Sequence, residues 1–307
     1  MEDHFAAAGP HGVVHEDVVD SFGDTPYELF APKDLGAPGE RHPIIAWGNG
    51  TIAHPVEYTG ILSHLASWGF VVIASTSDQT GTGEEILASI HRAIRMGDEP
   101  TSRLYHHVDA DRIGVAGHSQ GAGGSVRAAT SPDNPIDTVI TVELPNKLFT
   151  IPPDTKAHDE SRLRVPVLFF GGSDDGFISS PETNRAFYDS VPGSAAMAVL
   201  TGADHNVIQH SAGRFPGYLT AWMRYQLVDD AFAAGAFTGP HPELLTAPGW
   251  TNQALKGLAA PQAATVAPSG PPQELPITGG TPALAVPLSL VVVALVLRPR
   301  GRAARRG

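Results

Sequence analysis

Gly117-His118-Ser119-Gln120-Gly121 is the most informative stretch of the chain, because an apolar strand-like segment precedes it and a run of small residues follows it. The strand-like segment covers residues 112–116, and the small residues begin at Ala122. A G-x-S-x-G pattern between a strand and a helix is typical of the nucleophile elbow, a sharp turn that exposes a serine. The flanking glycines leave room for the crowded backbone of such a turn. The pattern therefore predicts Ser119 as a nucleophile; the alternative interpretation is a glycine-rich turn with a solvent-facing serine.

The composition of the 307-residue chain is that of a globular protein, with 42% hydrophobic and 17% charged residues. This length accommodates one large α/β domain with extensions, or two small domains. The formal net charge of −12 offers no basic face to phosphates, so we do not expect a nucleic acid partner. The chain has no cysteine, which excludes disulfides and thiolate metal sites and leaves the redox compartment open.

Strand-like and helix-like segments alternate along the predicted domain, residues 13–256. Continuous apolar runs indicate strands buried on both faces, and apolar residues three and four apart indicate helices. We predict strands at 27–31, 43–47, 70–74, 112–116, 136–144, 165–170 and 196–200, and helices at 58–68, 84–96, 122–130, 182–190 and 215–228. This order predicts an α/β fold with a mostly parallel central sheet and helices on both faces.

The groups that would activate Ser119 are expected further along the chain. A serine hydroxyl needs a base within hydrogen-bond reach and a carboxylate that orients the base. After a nucleophile elbow the expected order is serine, acid, histidine. Two adjacent aspartates, Asp174 and Asp175, follow the last but one predicted strand, and either fits the acid. His205 follows the last predicted strand and is the predicted base, with His210, nearer the next helix, as the alternative.

Ester or amide cleavage also needs N–H groups that point at the developing oxyanion. The backbone of Gln120, directly after the nucleophile, is the first predicted donor. The loop Gly48-Asn49-Gly50-Thr51 follows a predicted strand, and its glycines permit a tight turn that points N–H groups inward. We predict Thr51 as the second donor, with Gly50 next; the alternative is a plain Gly-Asn-Gly turn.

The other histidines receive no catalytic role. His118, inside the elbow, is predicted to pack beside the serine rather than to transfer protons. No pair of histidines has a convincing metal spacing with a third ligand, so we predict no metal site.

The end of the chain has the composition of a linker followed by a targeting signal. Residues 257–274 are rich in Ala and Pro and have no apolar face to bury, which predicts an extended linker. Leu275-Pro276-Ile277-Thr278-Gly279 then precedes the uncharged run 280–297 and five arginines within 298–306. This layout resembles the L-P-x-T-G cell-wall sorting signal of Gram-positive surface proteins. The run is near the lower limit for crossing a bilayer, and the arginines favour the cytoplasmic side.

The sorting-signal resemblance implies the partners and the location of the protein. A sortase would cut between Thr278 and Gly279 and join the threonine to peptidoglycan, which predicts display on the cell wall. The alternative is a permanent single-span anchor. Such a protein must be exported, yet residues 1–12 do not have the pattern of a signal peptide. We therefore expect a start codon placed too late, or a trimmed sequence.

Residues 44–227 resemble the α/β-hydrolases of the cutinase and polyester-hydrolase type, close to dienelactone-hydrolase-like esterases. The resemblance rests on the block Leu65-Ala66-Ser67-Trp68-Gly69-Phe70-Val71-Val72-Ile73, the elbow, and the acid and histidine loops. It implies the α/β-hydrolase fold and a carboxylic-ester hydrolase without a metal or organic cofactor. The Gly-x-x-Asp arrangement of the family favours Asp175 as the acid. An ungapped alignment also puts the oxyanion-loop aromatic of the family at Thr51.

Two departures from the polyester-degrading members bear on the substrate. Those members usually carry a tryptophan after the strand that follows the elbow helix, whereas residues 142–147 contain no aromatic. Their usual C-terminal disulfide is also absent. Both departures weaken the prediction of a long-chain or polymer substrate and leave ester cleavage intact.

The leading hypothesis is a wall-displayed serine esterase, lipase-like or cutinase-like, that acts on a small-molecule, lipid or polymer ester through an acyl-enzyme. One alternative is a non-catalytic surface protein that uses a hydrolase scaffold for adhesion or ligand binding, since one fold supports many functions. Another is an acyltransferase or an amidase. The chain does not indicate the acyl-chain length or the oligomeric state.

Overall fold

A computed structural model describes residues 1–19, 26–149 and 157–261. Within these residues the strands are β1 (Val13–Val18), β2 (Tyr27–Pro32), β3 (His42–Gly48), β4 (Val71–Ser75), β5 (Val108–His118), β6 (Thr138–Val142), β7 (Val167–Gly172), β8 (Ala195–Leu200) and β9 (Trp250–Lys256). The α-helices are α1 (Glu2–Ala6), α2 (Thr59–Ser67), α3 (Glu84–Asp98), α4 (Gln120–Thr130), α5 (Pro181–Ser190), α6 (Val207–His210), α7 (Phe215–Val228) and α8 (Ala231–Ala234). Short 3₁₀ helices lie at Pro55–Tyr58, Lys147–Phe149, Glu160–Arg162 and Glu243–Thr246.

The strands form one sheet in the order β1-β2-β4-β3-β5-β6-β7-β8-β9. From β4 to β8 the neighbours are parallel, and β1, β2 and β9 join the two sides in antiparallel pairing. The predicted mostly parallel sheet is therefore confirmed. The sequence-based elements did not include helix α1 or the strands β1 and β9, which form the two edges of the sheet.

Helices cover both faces of the sheet, because the central strands are apolar on both sides. Phe169 and Phe170 are neighbours on β7 and point to opposite faces, each fully buried. Phe170 packs in the cluster that contains the apolar residues of α2 and α7. Phe169 packs in the cluster that contains those of α3, α4 and α5. Each buried phenylalanine contributes on the order of 2 kcal/mol through burial alone.

The carboxyl ends of the parallel strands meet at one edge of the sheet, which we call the carboxyl edge. The loops after β3, β5, β6, β7 and β8 all begin there. In open α/β sheets this is the edge where ligands bind. The predicted oxyanion, nucleophile, acid and base residues lie on four of these loops.

The predicted sorting signal, 275–307, and all but the first five residues of the predicted linker lie outside the described residues. Those assignments stay predictions. Among the residues that the structure does describe, no helix has both the length and the apolar character that a membrane span requires.

Candidate active site

Ser119 occupies the sharp turn between β5 and α4. Its backbone has φ 53° and ψ −123°, values that a non-glycine residue adopts only under strain of order 1–3 kcal/mol. The neighbouring glycines make the turn possible: a Cβ on Gly121 would overlap the carbonyl oxygen of Gly48, and one on Gly117 would overlap that of Gly121. The Ser119 N–H donates to the carbonyl of Val142 at 3.0 Å, which fixes the turn against the next strand.

A chain of hydrogen bonds links the loops after β5, β8 and β7. His205 Nε2 lies 2.9 Å from Ser119 Oγ, and His205 Nδ1 lies 2.5 Å from Asp175 Oδ2. The carboxylate of Asp175 can only accept from the ring, so Nδ1 carries the proton and Nε2 is free to accept the serine proton. The arrangement is thus able to activate the hydroxyl by general-base catalysis.

The structure separates the two competing aspartates. Asp175 is buried, and its second oxygen accepts the N–H of Ile178 at 3.0 Å. Asp174 instead accepts the hydroxyl of Ser173 at 2.8 Å, in an exposed contact. Burial alone would raise the pKa of the Asp175 carboxyl, but the hydrogen bond and charge of His205 outweigh it and hold that pKa below its usual value. The ring of His205 faces this acid, and the alternative, His210, belongs to α6.

His118 links the oxyanion loop to the histidine loop. Its Nε2 lies 2.7 Å from the backbone carbonyl of His205, so Nε2 donates there. Its Nδ1 must then accept, and it takes the hydroxyl proton of Tyr58 at 2.9 Å. Tyr58 Oη in turn accepts the Gly50 N–H at 2.9 Å and the side-chain amide of Gln209 at 3.2 Å.

Burial keeps both side chains of this network neutral. Desolvation lowers the pKa of His118 to about 3, and the electrostatic interaction with His205 lowers it further. Desolvation also raises the pKa of Tyr58 to about 12. His118 therefore packs beside the serine, as predicted, and it also positions the carbonyl of His205.

The two predicted oxyanion donors of the loop after β3 differ in their surroundings. The N–H of Gly50 is committed to Tyr58, whereas Thr51 lies exposed one residue further on. Asn49 is fully buried and anchors this loop by donating its amide to the carbonyls of Ser75 and Ser77, at 2.7 and 2.9 Å. Gln120 is the first residue of α4, where backbone N–H groups have no partner within the helix.

The comparisons with known proteins agree with this geometry. A family model described as PET hydrolase-like matches residues 4–248. The chain belongs to the PET hydrolase-like family. Membership confirms the α/β-hydrolase fold and supports carboxylic ester hydrolysis as the activity.

Named relatives of this PET hydrolase-like protein are cutinases and an ester hydrolase. Cutinase est2 of Thermobifida alba is 29% identical over 223 residues, which cover 64% of this chain and 69% of the relative. Cutinase 1 of Thermobifida cellulosilytica is 27% identical over 250 residues, 77% of this chain and 87% of the relative. A bis(hydroxyethyl) terephthalate hydrolase of Streptomyces coelicolor is 29% identical over 189 residues, 58% of this chain and 54% of that protein.

Four apolar side chains at the carboxyl edge were not found from the sequence of this PET hydrolase-like protein. We call them the apolar rim: Ile52, Leu148, Phe149 and Phe177. Ile52 follows Thr51, and Phe177 lies two residues after Asp175; they are 74% and 78% exposed. The rings of Phe149 and Phe177 meet edge to face, with centroids 5.0 Å apart. Phe149 thus supplies an aromatic just beyond residues 142–147, which have none.

The PET hydrolase-like protein also has a second acid behind Asp175. Ligand atoms of Glu143, Asp175 and His205 lie within 4.8 Å of one another. His205 is already hydrogen-bonded to Asp175 on one side and to Ser119 on the other. The arrangement therefore favours proton transfer over metal binding. Glu143 was not singled out from the sequence, because an acid at the end of an apolar strand carries no motif.

Proposed function

We propose that the protein is a serine carboxylic-ester hydrolase that works through an acyl-enzyme, with Ser119, His205 and Asp175 as its catalytic residues. The observation that supports this most is the continuous hydrogen-bond chain from the Ser119 hydroxyl through His205 to Asp175. The strained elbow adds support, because it keeps the hydroxyl within reach of His205 and leaves the residue 9% exposed.

The proposed reaction has two halves. Ser119 Oγ attacks the ester carbonyl carbon while His205 Nε2 takes the hydroxyl proton, and Asp175 stabilises the imidazolium. The N–H groups of Thr51 and Gln120 bind the carbonyl oxygen as it becomes negative. The C–O bond breaks, the alcohol leaves with the proton from His205, and the acyl group stays on Ser119. Water then attacks this ester with His205 again as base, and the free acid is released.

The adjacent aspartates offer a matched pair of variants to test this assignment. In Asp175→Asn, the amide would lock His205 in the wrong tautomer, and kcat for p-nitrophenyl butyrate is expected to fall by about 10³–10⁴. In Asp174→Asn, kcat is expected to stay within about twofold, because Asp174 only accepts from Ser173. Equal effects of the two changes would overturn the assignment of the acid.

The apolar rim supports an ester with a flat apolar group as the substrate class. Exposed Phe177 and partly exposed Phe149 offer ring faces and edges beside the acid loop. The names of the relatives, cutinase and bis(hydroxyethyl) terephthalate hydrolase, point the same way. A panel of aliphatic esters of increasing chain length and one aromatic diester would rank the candidates by kcat/KM.

The product distinguishes ester hydrolysis from the alternatives. A hydrolase releases free acid, an acyltransferase yields an acylated alcohol, and an amidase cleaves the matching anilide. A folded protein with no turnover of any ester, and no loss on Ser119→Ala, would favour a binding or adhesion protein.

We further propose display on the cell wall through residues 275–307, on the strength of the motif, the uncharged run and the basic tail. The full chain, fused to a secretion signal and produced in a sortase-bearing Gram-positive host, is expected in the wall fraction and to be released by muramidase. Thr278→Ala is expected to move it to the membrane fraction or the medium. Wall attachment that survives Thr278→Ala would contradict the proposal.

A further inference from the structure

Glu143 is a buried acid that the proposed mechanism does not use. It follows β6 directly, has none of its surface exposed, and adopts a left-handed backbone with φ 52°. Its N–H donates to the carbonyl of Phe170 at 2.9 Å, which holds it beside the strand that leads to Asp175. An acid in such a place needs either a cation or a proton.

Among the described residues, no lysine or arginine is one of the main groups that shift the pKa of Glu143. Neither carboxylate oxygen of Glu143 has a hydrogen-bond partner of good geometry among the described residues. The backbone N–H of Gly172 lowers its pKa, but this effect is smaller than those of burial and of the Asp175 charge. The titratable groups that act on it are Asp175, Asp204 and His205, and the two aspartates are negative. A carboxylic acid fits better, because its O–H has an acceptor in the neighbouring carboxylate of Asp175.

We propose that Glu143 is protonated and acts as a positioning residue, donating its O–H to Asp175 and holding that carboxylate against His205. The proposal rests on the proposed function only for the role of Asp175; the protonation itself is independent of catalysis. Asp175 would then be held from three sides, by His205, by the N–H of Ile178 and by Glu143. Electrostatics agree, since burial raises the pKa of Glu143 well above its usual value and the charge of Asp175 raises it further.

The first test follows stability against pH and does not depend on activity. A Glu that is protonated when folded and ionised when unfolded makes the fold less stable as pH rises above about 4.5, up to its raised native pKa. Glu143→Gln lacks this penalty, so its Tm relative to the unchanged protein should rise by about 3 °C for each pH unit from 5 to 7. A difference in Tm that stays flat over this range would overturn the proposal. Running both proteins in a Ser119→Ala background keeps the result separate from catalysis.

The second test distinguishes positioning from mere packing. Gln can donate to Asp175, so Glu143→Gln is expected to keep kcat within about threefold. Leu has a similar size and no donor, so Glu143→Leu should lower kcat by about tenfold or more, with KM within about twofold. The acid limb of the kcat/KM profile should stay within about 0.3 pH unit in Glu143→Gln, because no charge is removed.

Two outcomes would overturn the positioning role of Glu143. An ionised Glu143 would place a negative charge beside the imidazole, and its removal in Glu143→Gln would move the acid limb to lower pH by about one unit or more. Equal loss of kcat in the Gln and Leu variants would also refute a donor role. If instead Ser119→Ala retains full hydrolysis, the proposed function fails, and the Tm test still decides the protonation of Glu143.

Discussion

Tyr58→Phe removes one oxygen from the centre of the network that ties the oxyanion loop to the histidine loop. In the structure this fully buried hydroxyl donates to His118 Nδ1 and accepts the Gly50 N–H, each at 2.9 Å. Phenylalanine keeps the ring, which packs on Trp47 with a centroid distance of 5.0 Å. The change therefore isolates the hydrogen bonds from the packing.

The magnitude follows from the two buried groups left without partners, since the third partner, Gln209, is partly exposed. A buried donor or acceptor that loses its partner costs about 1–3 kcal/mol. Because His118 Nδ1 and the Gly50 N–H would both lose their hydrogen-bond partner, we expect the free energy of unfolding to fall by about 2–4 kcal/mol. Because Gly50 precedes Thr51 and His118 holds the His205 carbonyl, we also expect kcat to fall by about tenfold.

Urea unfolding at pH 7.5 measures the free energy of unfolding. We expect Tyr58→Phe to have a lower midpoint and an unchanged m-value. Tyr188→Phe is the matched control, because Tyr188 is also buried and no hydrogen bond from a described residue acts on its hydroxyl. That control should change the free energy of unfolding by less than about 0.5 kcal/mol. If Tyr58→Phe were as stable as Tyr188→Phe, the network would have no structural role and the reasoning would be refuted.

Three further predictions concern other parts of the structure. Gly121→Ala should lower the free energy of unfolding, measured in urea, by about 1–3 kcal/mol, because the new Cβ would overlap backbone atoms. Gly60→Ala should raise it by about 0.5–1 kcal/mol, because the Cβ on α2 would meet open space. A change of the same sign in both variants would contradict this prediction. His118 is buried in its neutral form, with its pKa lowered to about 3. Its contribution to the free energy of unfolding is therefore fully present above pH 6.5 and is lost as the pH falls. The stability advantage over His118→Gln should therefore shrink by about 1.4 kcal/mol per unit from pH 6 to pH 4, and a constant advantage would refute it. Phe177→Ala should raise KM for an aromatic diester by about threefold or more and leave ethyl acetate, followed by pH-stat titration, unchanged; equal effects on both would rule out a role in substrate binding.

Sequence reasoning found the parts of the site that follow from local pattern. Ser119 was predictable because a strand, a glycine-flanked turn and a helix adjoin within a few residues. The acid loop with Asp174 and Asp175, and the loop with His205, were predictable because each follows a buried parallel strand, and such strand ends share one edge of the sheet. Position alone did not separate the two aspartates; the family resemblance favoured Asp175. The helix at Phe215–Val228 was predicted with its bounds, since its apolar spacing is strong.

Other features depend on contacts between distant residues and leave no local trace. The hydrogen bond from the Gly50 N–H to the Tyr58 hydroxyl is one such contact, because Tyr58 looks like one more apolar residue at the start of a helix. Glu143 ends an apolar strand and resembles a surface acid until the sheet buries it. The edge strand β9 pairs antiparallel with β8, about fifty residues earlier, and only three-dimensional pairing reveals it.

Covalent labelling of the folded protein with a fluorophosphonate, read by intact mass and peptide mapping, tests most directly whether His205 makes the Ser119 hydroxyl nucleophilic. We predict a single adduct on Ser119, no adduct in Ser119→Ala, and labelling slowed by about 10³-fold or more in His205→Ala. A folded protein that takes up no label, or one that is labelled at the same rate without His205, would contradict the account.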